Sequence, residues 1–261
     1  MIFDLFPGRR RAKLRAEPVP PAWRQIVEQN LPVFARLSAA DQAELLGHIH
    51  VFLAEKHFEG CGELELTDEI RVTIAAQACL LLLHRDTDYY PHLRSVLVYP
   101  SGYTAGEDRY LGNGLWEAGG DDRLGHTQQY LGALVLAWDS AKHGAHAPED
   151  GDNLVLHEFA HQLDFEDSLT DGTPRLDSRE AYRSWARVME AEFTALRAAE
   201  QAGTPTLIDQ YGATNPAEFF AVVTEAFFER PGQLRERHPA LYDELQRFYQ
   251  QDPASFVPEA R

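Results

Sequence analysis

The stretch "DNLVLHEFAHQLDFED", residues 152–167, has the pattern of a short amphipathic helix that carries two histidines. His157 and His161 are four residues apart, so they share one helix face and can bind one cation. Glu158 lies about 100° further round the helix, from where it can act as general base on a water molecule at the metal. Imidazole suits zinc, which lowers the pKa of a bound water to about 7. The stretch therefore predicts a zinc centre, for which it supplies two ligands.

A third ligand has to come from another part of the chain, because catalytic zinc commonly has three protein ligands. The stretch "NPAEFFAVVTEAFFE", residues 215–229, predicts a second apolar helix with carboxylates inside it, and Glu218 is the preferred ligand. Asn215 and Pro216 resemble a helix start, so Glu218 could instead serve only as a capping residue. Glu225, seven residues further on, shares the face of Glu218. We expect it to support the site or to pair with an arginine.

Three more residues are alternative ligands. Asp164 lies three residues after His161 on the same helix stripe, and we expect it to hold a neighbouring group or to close the helix end. His143 and His146 lie in a segment typical of a solvated loop. A centre without metal also remains open, in which hydrogen bonds inside the core satisfy the histidines.

The composition is that of an acidic globular protein. The chain has 261 residues, 44% of them hydrophobic, and a formal net charge of −17. Such a surface disfavours direct nucleic acid binding, and no apolar run is long enough to cross a membrane. The N-terminus lacks the apolar region of a secretory signal, so we expect a cytoplasmic protein. Residues 1–17 are rich in arginine and are expected to form a flexible basic tail.

Hydrophobic periodicity predicts a mainly helical α+β single domain with a small mixed sheet. We expect this domain at residues 18–261, with a helical N-terminal part at about 18–90 and the core that carries the metal centre at about 91–261.

Local patterns place the elements of this domain. Besides the helix of the opening stretch, helices are predicted at 22–37, 38–58, 67–85, 178–201, 215–232 and 238–251. Runs rich in β-branched and aromatic residues predict a strand at 95–103 and one or two strands at 127–139. Loops and connections are expected in three segments: the glycine-rich and acidic residues 104–125, residues 140–151 and residues 166–178.

Two segments together resemble a known family. "HEFAHQLD" and "YGATNPAEFFAVVTEAFF" are similar to Mlc titration factor A and its zinc metallopeptidase relatives, and the resemblance extends from about residue 20 to 255. It implies a glutamate-zincin type of peptidase with a zincin-like active-site helix, related to the catalytic domain of anthrax lethal factor. It also implies one zinc ion bound by His157, His161 and Glu218, with Glu158 as base and Tyr211 as hydrogen-bond donor to the oxyanion.

The resemblance also implies what the protein acts on. We expect a zinc-dependent peptidase, aminopeptidase-like or of limited specificity, that cleaves peptide or protein substrates. In zincins an edge strand pairs with the substrate, and residues 130–138 are expected in that place unless they form a fully paired core strand. The best-known relatives also bind and titrate Mlc, a transcriptional repressor of sugar uptake. The alternative is a regulatory protein-binding module whose zinc is structural or only weakly catalytic.

Overall fold

Helices form most of the chain in the computed structural model. The structure describes residues 7–256 except residues 102, 105–108, 113–114, 118–121, 124, 129–131 and 147–150. The described part contains ten α-helices and a small sheet, which confirms the predicted mainly helical α+β fold class. Within the described residues, no helix combines the length and the apolar character needed to cross a membrane.

Four helices form the N-terminal half: α1 (Pro7–Ala16), α2 (Pro21–Asn30), α3 (Ala39–Glu55) and α4 (Asp68–Leu80). Side-chain caps begin the two longest, since Ser38 accepts a hydrogen bond from the amide of Asp41, and Thr67 accepts one from the amide of Ile70. Pro32 divides the helix predicted at 22–37, because its ring cannot continue α2, and a 3-10 turn follows it.

The main sheet has four strands: β1 (His57–Gly60), β2 (Ser95–Tyr99), β7 (Gly125–Gln128) and β8 (Ala133–Ala137). Their order is β1-β2-β8-β7, and β7 alone is antiparallel to its neighbour. The predicted mixed sheet is therefore present.

Residues 130–138 were predicted as an edge strand, and this prediction is wrong. Within the described residues, β8 pairs with β2 on one side and with β7 on the other. The alternative of a fully paired core strand applies. Residues buried on both faces of a sheet give a continuous apolar run, and Leu134, Val135, Leu136 and Ala137 are all buried. In the described sheet, β7 and β1 are the outer strands.

The segment predicted as a loop at 104–125 contains short antiparallel pairs. β3 (Tyr103–Thr104) pairs with β6 (Asp122–Arg123), and β4 (Arg109–Gly112) pairs with β5 (Leu115–Glu117). The sequence between β4 and β5 is Asn113-Gly114, a dipeptide that favours tight hairpins. Because glycine and acidic residues dominate the composition of this segment, it was predicted as a loop and the short strands were missed.

Six helices follow β8: α5 (Trp138–His146), α6 (Leu154–Asp164), α7 (Arg179–Gln201), α8 (Pro216–Glu229), α9 (Pro231–Arg237) and α10 (Pro239–Tyr249). Two of these helices differ from the elements that the sequence predicted. α5 occupies most of the connection predicted at 140–151, and α9 begins at Pro231, where only the end of a helix was expected. Proline fits the first turn of a helix, so the same residue can follow one helix and begin the next.

Helix α1 corrects the expectation of a flexible tail for residues 7–16. Arg11 makes a bidentate ion pair with Glu55 of α3, with distances of 2.9 and 3.0 Å, and a further contact of 3.0 Å to Asp88. Its guanidinium also lies 5.0 Å from the ring centre of Tyr89. The arginine-rich composition predicted a flexible tail because the carboxylates that pair with Arg11, on Glu55 and Asp88, lie far away in the sequence. The predicted boundary at about residue 90, between the helical N-terminal part and the core of the domain, stays a prediction.

We expect Arg11→Gln to lower the free energy of unfolding by about 1–2 kcal/mol, because it removes a bidentate and mostly buried ion pair. Urea denaturation followed by circular dichroism measures this change. Arg10→Gln is the matched control, since Arg10 is an exposed neighbour on the same helix, and it should change stability by less than about 0.5 kcal/mol. Equal effects of the two substitutions would show that α1 does not depend on Arg11.

Candidate metal centre

Helices α6 and α8 pack against each other and carry the centre. The side chain of Asn153 caps α6 by accepting a hydrogen bond of 3.0 Å from the amide of Leu156, and Asn215 caps α8 through the amide of Glu218, also at 3.0 Å. The cap of α8 therefore uses the backbone of Glu218. Its carboxylate is directed at the histidines of α6, so the role of Glu218 is not limited to capping.

His157, His161 and Glu218 form a compact group whose possible ligand atoms all lie within 4.8 Å of one another. Oε2 of Glu218 lies 3.0 Å from Nε2 of His157 and 3.4 Å from Nε2 of His161. Two imidazole nitrogens and one carboxylate oxygen are a ligand set of catalytic zinc sites. The donor set and its spacing therefore fit a single zinc ion.

Glu225 orients His157 from the opposite side of the imidazole ring. Its Oε1 lies 2.7 Å from Nδ1 of His157, and its Oε2 accepts a hydrogen bond of 2.5 Å from the amide of Asn153. Metal-binding histidines usually hold their second nitrogen in this way, which leaves Nε2 for the metal. The carboxylate thus positions the imidazole of His157, and no arginine lies within ion-pair distance of it among the described residues.

Asn153 and Glu229 extend this network and were missed in the sequence. The side-chain amide of Asn153 donates to Oε1 of Glu229 and to the carbonyl of Gly144, both at 3.0 Å. Asn153 is the residue that caps α6. Asparagine is a favoured capping residue, so the signal was present, but its contacts with α8 could not be read from the sequence.

The electrostatics of the centre suit a cation. Burial lowers the pKa of His157, but hydrogen bonds to Glu218 and Glu225 outweigh it and raise the pKa to about 10. Burial raises the pKa of Glu218, yet the hydrogen bonds from His157 and His161 hold it well below its ordinary value. Buried carboxylates need such positive partners, and a metal ion would supply charge of the same sign.

Glu158 and Tyr211 flank the metal-compatible group. Glu158 follows His157 on α6 and is only 6% exposed. Tyr211 lies in a 3-10 turn, Gln210–Ala213, which Asp209 caps by accepting a hydrogen bond of 2.7 Å from the amide of Tyr211. The Tyr211 ring is 57% exposed, and its centre lies 6.1 Å from that of His157. The structure thus brings together all five residues that the sequence proposed for the site.

The alternative ligands lie outside this group. Asp164 is fully buried, and its Oδ2 accepts a hydrogen bond of 2.9 Å from the amide of Gly172, while burial raises its pKa to about 6. It therefore holds the segment that follows α6. His143 and His146 lie on α5, and in the described part of the chain neither joins a metal-compatible group.

The H-E-x-x-H metallopeptidases place two histidines and a glutamate on one helix in this way. A model of the glucose-regulated metallo-peptidase M90 family matches residues 6–250, and the chain therefore belongs to that family. The match confirms the resemblance noted in the sequence.

Individual relatives agree with the family. An uncharacterized protein of Synechocystis is 39% identical over 244 residues, which are 94% of this chain and 89% of that protein. A protein called Mlc titration factor A from Klebsiella pneumoniae is 32% identical over 251 residues, with 91% of this chain and 88% of that protein covered. The protein of the same name from Edwardsiella ictaluri is 30% identical over 226 residues, with 85% of each covered.

We expect Glu225→Gln to weaken zinc binding by about 10- to 100-fold, because the neutral amide is a poorer partner for Nδ1 of His157. Competition with a chromophoric chelator measures the affinity. Glu236→Gln, an exposed site on α9, serves as control and should leave the affinity unchanged. An unchanged affinity in Glu225→Gln would contradict the orienting role of this carboxylate.

Proposed function

We propose that this protein hydrolyses peptide bonds with one zinc ion held by His157, His161 and Glu218. The observation that carries the proposal is the approach of one Glu218 oxygen to both Nε2 atoms, at 3.0 and 3.4 Å. When bound, zinc would polarise the scissile carbonyl and lower the pKa of a water molecule. Membership of a metallopeptidase family supports the reaction class.

Glu158 is proposed as the general base and acid. Its position next to His157 on α6, buried beside the ligands, suits a carboxylate that takes a proton from the attacking water. The same carboxyl then passes this proton to the leaving amine. Tyr211 is proposed to donate a hydrogen bond from its phenol to the oxyanion of the tetrahedral intermediate. Its exposed ring beside His157 is compatible with contact to a substrate.

The substrate class is proposed from the charge around α6. Between Lys142 and Arg175 the sequence contains eight acidic residues and no lysine or arginine. A segment with this excess of negative charge favours a substrate with a free amino group, so we propose an aminopeptidase-like activity or one of limited specificity. A panel of aminoacyl substrates and N-blocked peptides, assayed with and without chelator, separates the two possibilities.

Glu158→Gln should abolish turnover, with a loss of at least about 100-fold in kcat, while zinc stays bound, because glutamine cannot accept the proton. Peptide hydrolysis and metal content by mass spectrometry measure the two quantities. Glu190→Gln, at an exposed position on α7, should behave like the parent protein. Hydrolysis by Glu158→Gln at the parent rate would refute the mechanism.

Tyr211→Phe should reduce kcat by about 100-fold and change KM little, because the phenol acts in the transition state. Steady-state kinetics give both values. Tyr182→Phe removes a phenol from another exposed tyrosine, on α7, and should leave kcat within about twofold. A rise in KM alone for Tyr211→Phe would assign this residue to substrate binding.

The second proposed function is the binding of an Mlc-like transcriptional repressor, and the name Mlc titration factor A of two relatives favours it. In this alternative zinc is structural or only weakly catalytic. A pull-down of purified Mlc-like repressor with the parent protein and with Glu158→Gln distinguishes the functions. Equal capture by both proteins, together with the absence of hydrolysis by the parent, would favour the binding module over the peptidase.

A further inference from the structure

A cavity of about 570 Å³ lies apart from the metal-compatible group, and none of the five proposed site residues lines it. Its walls come from the segment after α4, the segment between α6 and α7, the first turns of α7, and α10. This volume lies in the range of sites for small ligands. Charged residues form much of the lining, so the nature of a ligand can be argued from their partners.

Some of these charges are already compensated inside the protein. Arg247 forms an ion pair of 2.9 Å with Glu244, and Asp88 forms its ion pair with Arg11 of α1. Because Glu244 and Asp88 each already have an arginine as partner, these carboxylates do not require a ligand.

Two arginines at the cavity lack such compensation. Among the described residues, neither Arg85 nor Arg175 has a carboxylate within ion-pair distance, and the buried Nη1 of Arg85 has no hydrogen-bond partner. The Arg85 guanidinium lies over the ring of Phe248, 4.1 Å from its centre, which holds it in place. A guanidinium that is held over an aromatic ring and lines a cavity is suited to bind a carboxylate there.

Glu166 brings an opposite charge to the same cavity. In the described part of the chain no cationic group lies within ion-pair distance of its carboxylate. Burial raises the pKa of Glu166, and the charges of Arg85 and Arg175 act in the opposite direction. The exposed Asp86 and Asp177 also line the cavity. A partly buried carboxylate of this kind gains stability from an ammonium group.

We propose that this cavity binds a short zwitterionic peptide, with its carboxylate at Arg85 and Arg175 and its ammonium group at Glu166. A simple anion such as phosphate would face Glu166, Asp86 and Asp177 without a cation of its own to offset them. A simple cation would leave Arg85 and Arg175 without a counter-charge. A peptide of two or three residues satisfies both charges and fits the volume, and Leu176 offers apolar surface to its side chains.

The test uses full-length, zinc-loaded Glu158→Gln protein so that the probe is not consumed, and the probe is alanylalanine. Hydrogen exchange at rising probe concentration should show protection at residues 83–91 and 165–177. N-acetyl-alanylalanine and alanylalaninamide should each bind at least about tenfold more weakly, because each lacks one terminal charge. Inorganic phosphate should give no protection at these segments.

Matched variants locate the charges. Arg85→Gln and Arg175→Gln should each weaken binding by about tenfold, while Arg187→Gln, at an exposed position on α7, should have no effect. Arg175 is exposed, so its variant remains informative if Arg85→Gln proves unstable in a thermal melt. Protection confined to α6 and α8, equal binding of the blocked peptides, or protection by phosphate alone would overturn the proposal. Because exchange reports binding at this cavity, the result does not depend on whether the metal centre cleaves peptides.

Discussion

The contact between α6 and α8 buries several charged side chains in one place, and the free-energy cost of burying them must be offset by hydrogen bonds and ion pairs between the two helices. Glu218, Glu225 and Glu229 are spaced seven and four residues apart, so they form one stripe along α8. Against this stripe α6 presents His157, His161 and its capping residue Asn153. Leaving a buried charge without its partner costs several kcal/mol, so neither helix can move away without exposing the other to that cost.

The capping of the two helices determines which atoms meet. Asn153 binds α6 through its side-chain oxygen and binds α8 through its side-chain nitrogen and its backbone amide. One residue therefore fixes both the start of α6 and its position along α8. Because His157 lies one turn beyond Asn153, its ring is held at a defined height opposite Glu225. The positions of the side chains in the centre thus depend on a helix cap, an interaction that in most proteins only stabilises the start of a helix.

Much of the site could be predicted because helical periodicity is a local property. The four-residue spacing of His157 and His161 implied one helix face, and the position of Glu218 in a second apolar helix implied a meeting of the two helices. The edge-strand prediction failed for a different reason. An apolar run shows that a strand is buried but not which strands lie beside it, and one neighbour of β8, the strand β2, comes from a distant part of the chain. The docking of α1 through Arg11 and Glu55 also joins residues far apart in sequence.

The same charges that hold the centre together also govern how a metal would enter it. With its pKa raised to about 10, the His157 imidazole is protonated at neutral pH when it lies between Glu218 and Glu225. A ligand histidine must be neutral, so a cation has to displace this proton. Raising the pH toward 10 weakens the competition by the proton and therefore favours the metal. The carboxylates of Glu218 and Glu225 thus stabilise the proton on His157 when no metal ion is bound, and they would stabilise the metal ion when it is bound.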